Sequence, residues 1–288
     1  MKTKELMMAV LAAMTMGACS SDDTEEFLYT PDKGEIVLML EHPGQITRAT
    51  ETAFESEDEI GVYVTAADAA LQLGGNEVNN ELFTYNGTSW TSKRRVYWDA
   101  GQHNVYAYYP YSKQVNDVVD YSFSVDEDQS TASGYTSSDF LWASTKNVAA
   151  SGDPVVMQFS HRMSNVLVQL VKGENFEGSI PSNAEVYLYS TVTKAVVDLS
   201  TGDVAKDNYA GTGTIHCRKM SNTEYQAIVV PQNITSRRPL VEVVVDNVSY
   251  LMEGKISYKP GMRHTITVTL DKNPEQIKID IGGEIVNW

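Results

Sequence analysis

Apolar and polar residues alternate in short runs along most of this 288-residue chain, and Gly, Pro, Asn, Asp and Ser separate the runs. Period-two alternation closed by turn residues is the signature of half-buried strands. Its recurrence from Glu59 onward predicts an all-β sandwich rather than an α/β fold. Ile60–Val64 reads as a strand. Phe83–Tyr85 and Ser89-Trp90 flank Asn86-Gly87, a strong two-residue turn signal, and read as a hairpin. Val96–Trp98, Val105–Tyr111, Tyr121–Val125, Val155–Phe159, Val166–Val171, Ala184–Tyr189 and Tyr225–Val230 follow as strands. Leu240–Val245 and Val248–Met252 make a second hairpin through Asp246-Asn247, and Thr265–Leu270 alternates strictly. Helix is scarce: residues 126–139 read as a long polar loop, and Ser160–Asn165 has room for a short helical turn.

Two stretches depart from clean alternation. Ile36-Val37-Leu38-Met39-Leu40 is apolar on both alternating faces, which suits a strand covered on two sides, although periodicity alone also admits a buried helical turn. Full burial of those five side chains would contribute on the order of 8–15 kcal/mol, an upper bound against an extended unfolded chain. A soft peptide follows, ending Thr47-Arg48-Ala49-Thr50, with the exposed character that a protease needs. At the other end, Ile277-Lys278-Ile279-Asp280-Ile281 has one apolar and one charged face, then Gly282-Gly283, then Ile285 to Trp288. Such a terminal strand either closes its own sheet or reaches another molecule. Between these ends, Ser151-Gly152-Asp153-Pro154 is the best domain boundary, giving units 34–153 and 154–288.

A formal net charge of −16 argues against a nucleic-acid or anionic-membrane binder, since no basic stripe compensates it. The basic clusters Lys93-Arg94-Arg95 and Arg237-Arg238 read as solvated loop or edge charges. The amino terminus is a targeting segment: Lys2 and Lys4 lead an apolar run, Leu6–Met16, too short to span a bilayer as a mature helix. It closes on Met16-Gly17-Ala18-Cys19, which resembles a bacterial lipoprotein signal with Met where Leu is usual. That resemblance implies residues 1–19 as signal and Cys19 as the lipidated first residue. Residues 20–33 open with Ser20-Ser21-Asp22-Asp23-Thr24-Glu25-Glu26, an acidic tether that looks like a surface-export signal of Bacteroidetes lipoproteins. Cys217 then has no partner and reads as a small buried hydrophobe.

Chemistry is sparse. The five histidines have no metal-ligand spacing, and His161 reads as a structural residue at a strand end. Asp126-Glu127-Asp128 with Asp139 lacks EF-hand spacing and reads as a solvated loop. No nucleophile elbow, phosphate loop or dinucleotide fingerprint occurs, so no catalytic residue, metal or cofactor is expected. An enzyme such as a glycosidase would need a facing carboxylate pair, and none can be nominated. Trp90, Trp98, Trp142 and the Tyr106–Tyr111 group would suit a sugar platform, but packing is the default use of such residues.

Asp58–Tyr63, Trp90 with Tyr97-Trp98, Tyr106–Tyr111, Phe159-Ser160-His161, Val229–Gln232 and Pro260-Gly261 recur here in one order. That order resembles the fimbrillin (Mfa-like) family of Bacteroidetes. The resemblance implies two tandem transthyretin-like β-sandwich domains with Greek-key-like topology. It also implies a surface lipoprotein of the outer membrane, assembled into type V pili for adhesion. In polymerising members an arginine-specific protease cuts after an amino-terminal strand, and another subunit's strand fills the place by β-addition. Mapped here, Ile36, Val37, Leu38, Met39 and Leu40 are the displaced strand, Arg48 and Ala49 flank the cut, and Ile277, Ile279, Ile281, Ile285 and Trp288 belong to the donor. No long free segment follows that donor, which leaves open whether it is given or kept. The alternative is a non-polymerising surface lipoprotein, a tip or accessory adhesin that binds glycan or host protein.

Overall fold

The computed structural model describes residues 31–43, 53–271, 278–281 and 286–288. In chain order the strands begin with β1 (Leu38–Glu41), β2 (Glu59–Ala66), β3 (Val78–Tyr85), β4 (Trp90–Ser92), β5 (Gln102–Tyr109) and β6 (Tyr121–Ser124), then helix α1 (Ala132–Ser137). There follow β7 (Leu141–Ala149), β8 (Val155–Gln158), β9 (Ser160–His161), β10 (Ser164–Lys172), β11 (Glu185–Val192), β12 (Lys194–Asp198) and β13 (Asp203–Lys206). The rest are β14 (Thr212–His216), β15 (Arg218–Lys219), β16 (Glu224–Val229), β17 (Gln232–Val245), β18 (Val248–Tyr258), β19 (Met262–Leu270), β20 (Lys278–Ile281) and β21 (Val286–Asn287). The fold is all-β.

The first large sheet runs β4-β3-β2-β5-β7-β9. Its central strands are buried almost throughout because alternate residues enter different cores. Ile60, Val62 and Val64 of β2, with Val105 and Ala107 of β5, pack with Ile36, Leu38, Val155 and Met157. Tyr63, Tyr106 and Tyr108 point the other way, into the larger core beside Tyr121, Phe123 and Phe140. Their polar ends are partnered where geometry allows: the Tyr108 hydroxyl donates to Asn80 Oδ1 at 2.8 Å. Two further sheets, β14-β11-β17-β18 and β15-β16-β10-β19-β20, share that larger core, the second built on a parallel β10–β19 pair.

The two sides of Asp153-Pro154 exchange strands. Beyond it, β8 pairs with β1 and β9 pairs with β7; before it, β6 pairs with β12. The boundary expected at Pro154 falls inside this exchange. The second hairpin is as expected: Asp246 (φ 49°) and Asn247 (φ 63°) both adopt the positive φ that its tight turn requires.

Helix falls elsewhere than expected. Ser160 and His161 form β9, because their backbone pairs with Trp142 and Leu141. The one helix among the described residues lies in the supposed polar loop, where Thr131 caps it by accepting from the Gly134 N–H at 3.1 Å. Tyr135 anchors it, buried, donating to Gln226 Oε1 at 2.9 Å and accepting from Asn165 Nδ2 at 2.8 Å. A Cβ on Gly134 would lie 2.1 Å from the Asp128 carbonyl oxygen, so only glycine fits there.

Candidate functional site

The amino-terminal strand is held by two partners in succession. Around Glu35 the chain is antiparallel to residues 96–98: the Ile36 N–H donates to Val96 O at 2.9 Å and the Trp98 N–H to Gly34 O at 3.0 Å. From Val37 it changes partner and runs parallel to β8, with Val155 N–H donating to Val37 O at 2.8 Å and Phe159 N–H to Glu41 O at 3.0 Å. In a parallel ladder alternate residues face the partner, so Leu38 and Leu40 turn their backbone groups the other way. Among the described residues no second ladder covers that edge.

Burial follows the same one-sided plan. Ile36 and Leu38 are inside, Val37 and Leu40 are half-buried, and Met39 is 52% exposed beside its equally exposed partner Val156. The expected cover on two sides is therefore corrected: among the described residues nothing stacks on the outer face of the β1–β8 pair. Burial of Ile36 and Leu38 contributes about 3–6 kcal/mol, less than half of the sum for all five side chains.

An ionic clamp precedes the strand. Glu35 is buried, and its Oε2 lies 2.9 Å from Arg95 Nη1 and accepts from the Asp32 N–H at 2.8 Å. Arg95 also meets Asp32 at 2.9 Å, and the Tyr97 hydroxyl donates to the same Asp32 Oδ2 at 2.9 Å. Arg95 was expected to be a solvated edge charge; instead it neutralises a carboxylate in the core wall. Its neighbour Arg94 does make an outward pair, with Glu81 at 2.9 Å.

Beside the open edge of β1 lies a groove of about 410 Å³ lined by Leu38, Leu40, His42, Phe54, Tyr85 and Trp90. Phe54 is its hub, meeting His42 at 4.9 Å, Trp90 at 5.0 Å and Phe159 at 5.4 Å, all edge-on. Burial, reinforced by the nearby His161 and opposed by Asp139, pushes His42 down to about 4.

The carboxyl-terminal strand sits on the sheet edge of its own chain. β20 is antiparallel to β19, with Ile266 opposite Ile281 and Val268 opposite Ile279, and β21 pairs with the start of β19. Ile279, Ile281 and Trp288 pack against the larger core. Of the other site residues expected from sequence, Cys19, Arg48, Ala49, Ile277 and Ile285 lie outside the described residues. The aromatic residues considered as a sugar platform are dispersed in packing: Trp90 is buried, Trp98 is tilted against His103 at 4.9 Å, and Trp142 donates to Leu199 O at 2.8 Å. Cys217 is buried, which pushes its thiol far above the ordinary range. Among the described residues no helix is long and apolar enough to cross a membrane.

The fimbrillin-like family model matches residues 47–288. The chain belongs to the fimbrillin-like family. That family is one of fimbrial structural and adhesion proteins rather than of enzymes. The fimbrillin-like chain is 30% identical over 195 residues to a protein of Bacteroides ovatus provisionally named fimbrium tip subunit Fim1C, covering 59% of this chain and 36% of that one. It thus spans about a third of that relative's length. A protein of Bacteroides uniformis provisionally named fimbrium subunit Fim1C is 23% identical over 304 residues, covering 100% of this chain and 96% of that one. Among solved structures, a cell adhesion protein, so named provisionally, from Bacteroides ovatus superposes with a TM-score of 0.71 at 21% identity, covering 90% of this chain and 99% of that one. A second, from Bacteroides uniformis, gives 0.69 at 18% identity over 90% and 100% of the two chains. These likenesses establish a shared fold.

The seat of the amino-terminal strand makes three measurable demands on this fimbrillin-like chain. Leu38→Ala lowers stability to urea by about 2–4 kcal/mol, whereas Met39→Ala changes it by less than about 0.5 kcal/mol. Arg95→Ala removes the cation beside the buried Glu35 carboxylate and costs about 1–3 kcal/mol in the same measurement, and Arg94→Ala costs less than about 1 kcal/mol. His42 is held neutral when folded, so between its ordinary value of 6.5 and the folded value of about 4 the unfolded chain binds more protons. Its contribution to stability is complete above pH 6.5 and falls as the pH drops toward 4. A proton-NMR titration of the His42 ring shows a midpoint well below 6.5; a midpoint at 6.5 would mean a solvated ring.

Proposed function

We propose that this chain is a structural subunit of cell-surface fimbriae of the type V kind, exported as a lipoprotein precursor acylated at Cys19 and anchored in the outer membrane. An arginine-specific protease cuts between Arg48 and Ala49, detaching Ile36–Leu40 from the body. A strand of another subunit takes the vacated place, and Ile277–Trp288 is the segment that this subunit gives in turn. The observation that carries the reading is the one-sided seat of β1, a short parallel ladder with an open edge that buries Leu38, preceded by Ile36 on its antiparallel partner. A strand so held leaves the larger core intact and opens the smaller one, whose apolar row can then accept alternate side chains of an equivalent strand. Before the cut, the tether keeps the effective concentration of β1 high; afterwards that advantage is gone, which gives the exchange its direction. A head-to-tail contact that does not close makes a fibre.

One observation favours a second reading. β20 and β21 are paired within the chain's own sheet, and a subunit that accepts a strand while keeping its own occupies the end of a fibre. That is the place of a tip or accessory adhesin, and the name of the Bacteroides ovatus relative agrees with it. Mass spectrometry of surface material tests the cut: chains beginning at Ala49 are expected, and Arg48→Ala abolishes them. Recovery of acylated Cys19 termini alone would overturn processing and exchange together. Ladders of linked oligomers among the Ala49 chains favour the repeating subunit, and their absence favours the terminal one.

A further inference from the structure

Val155–His161 is one continuous run that carries β1 at its start and meets Trp288, the residue after β21, at its end. Its first part carries β1 in parallel register, from Leu38 on Val155 to Glu41 on Gln158. Its last residue, His161, is 7% exposed and is fixed by Asp139 Oδ1, 3.0 Å from its Nδ1, and by pairing with Leu141. One face of the His161 ring stacks on Trp288, with centroids 4.0 Å apart and planes 14° from parallel. The same ring meets His42, the residue that directly follows β1, edge-on at 5.9 Å and 81°. Trp288 is held a second time, its N–H donating to Gly261 O at 3.0 Å, while the Gly261 N–H donates to Met163 O at 2.8 Å. Gly261 has φ +65°, and a Cβ there would lie 3.0 Å from the His161 carbonyl oxygen, so this turn closes directly over the run.

We propose that His161 couples the seats of the two terminal strands. When His42 leaves with β1, the His161 ring loses one wall of its packing, and its hold on Trp288 and on β21 weakens. When Trp288 leaves, the hold on His42 and the end of β1 weakens in the same proportion, because a coupling between two sites is reciprocal. The coupling is a property of the folded chain by itself and stands apart from fibre assembly. It means that loss of the amino-terminal strand loosens the carboxyl-terminal one without any partner present.

Amide hydrogen exchange of the full chain, read residue by residue by NMR, tests it, since protection reports local opening. His42→Ala is expected to speed exchange at Lys278–Ile281 and Val286–Trp288 by roughly 5-fold or more. Trp288→Ala is expected to speed exchange at Leu38–Glu41 by the same factor, and His161→Ala to speed both, with no further gain from adding His42→Ala. Met39→Ala, in the same strand with its side chain outward, leaves the carboxyl-terminal amides unchanged. The proposal is overturned if His42→Ala leaves those amides unchanged, if Trp288→Ala leaves β1 unchanged, or if Met39→Ala acts as strongly as His42→Ala. Should His161→Ala fail to fold, the reciprocity between the other two variants decides the matter alone.

Discussion

The short parallel ladder between β1 and β8 is the contact on which the functional reading of this molecule depends. Parallel pairing binds through slanted bonds and leaves alternate backbone groups of an edge strand turned outward. Held by this ladder, and just before it by antiparallel bonds of Gly34 and Ile36 to Trp98 and Val96, the amino-terminal segment closes the smaller core with Ile36 and Leu38. The remaining hold comes from outside the strand, in the Glu35–Arg95–Asp32 cluster before it and the ring of His42 after it. Closure of the core and ease of departure are thus assigned to different residues: the apolar pair closes, and the polar flanks retain.

The same division explains why the sheet behind β1 is so aromatic. Tyr63, Tyr106 and Tyr108 fill the larger core from one face of β2 and β5, while small branched residues on the opposite face meet β1 and β8. The deeper core, with four sheets around it, holds more of the buried side chains and contains no residue of β1.

Much of this was legible in the residues. Alternation located β2, β10, β16 and β19, and Asn86-Gly87 and Asp246-Asn247 marked two hairpins, because turn chemistry and period-two burial are local properties. The helix at Ala132–Ser137 was missed because six residues with few aliphatic side chains carry no helical period; Thr131 three residues before Gly134 was the only capping signal. β12 and β13 were missed since Lys194–Asp198 and Asp203–Lys206 are short and end in charges. The apolar run Ile36–Leu40 misled in the opposite direction: composition gives the number of apolar side chains but not which of them meet a neighbour. The role of Arg95 was likewise invisible, because its partner Glu35 lies 60 residues away in sequence.

The wall common to both cores has a bearing on how such a protein diverges. A change of volume at Val62 is not absorbed by a small slide of β2 alone, since the slide would move Tyr63 within the larger core on the far side, where Tyr121 is its neighbour. Drift on one face of the wall is therefore tied to drift on the other. Outward positions such as Met39 and Val156 are bound by no such rule, and they leave each lineage free to alter its exterior while the interior stays the same.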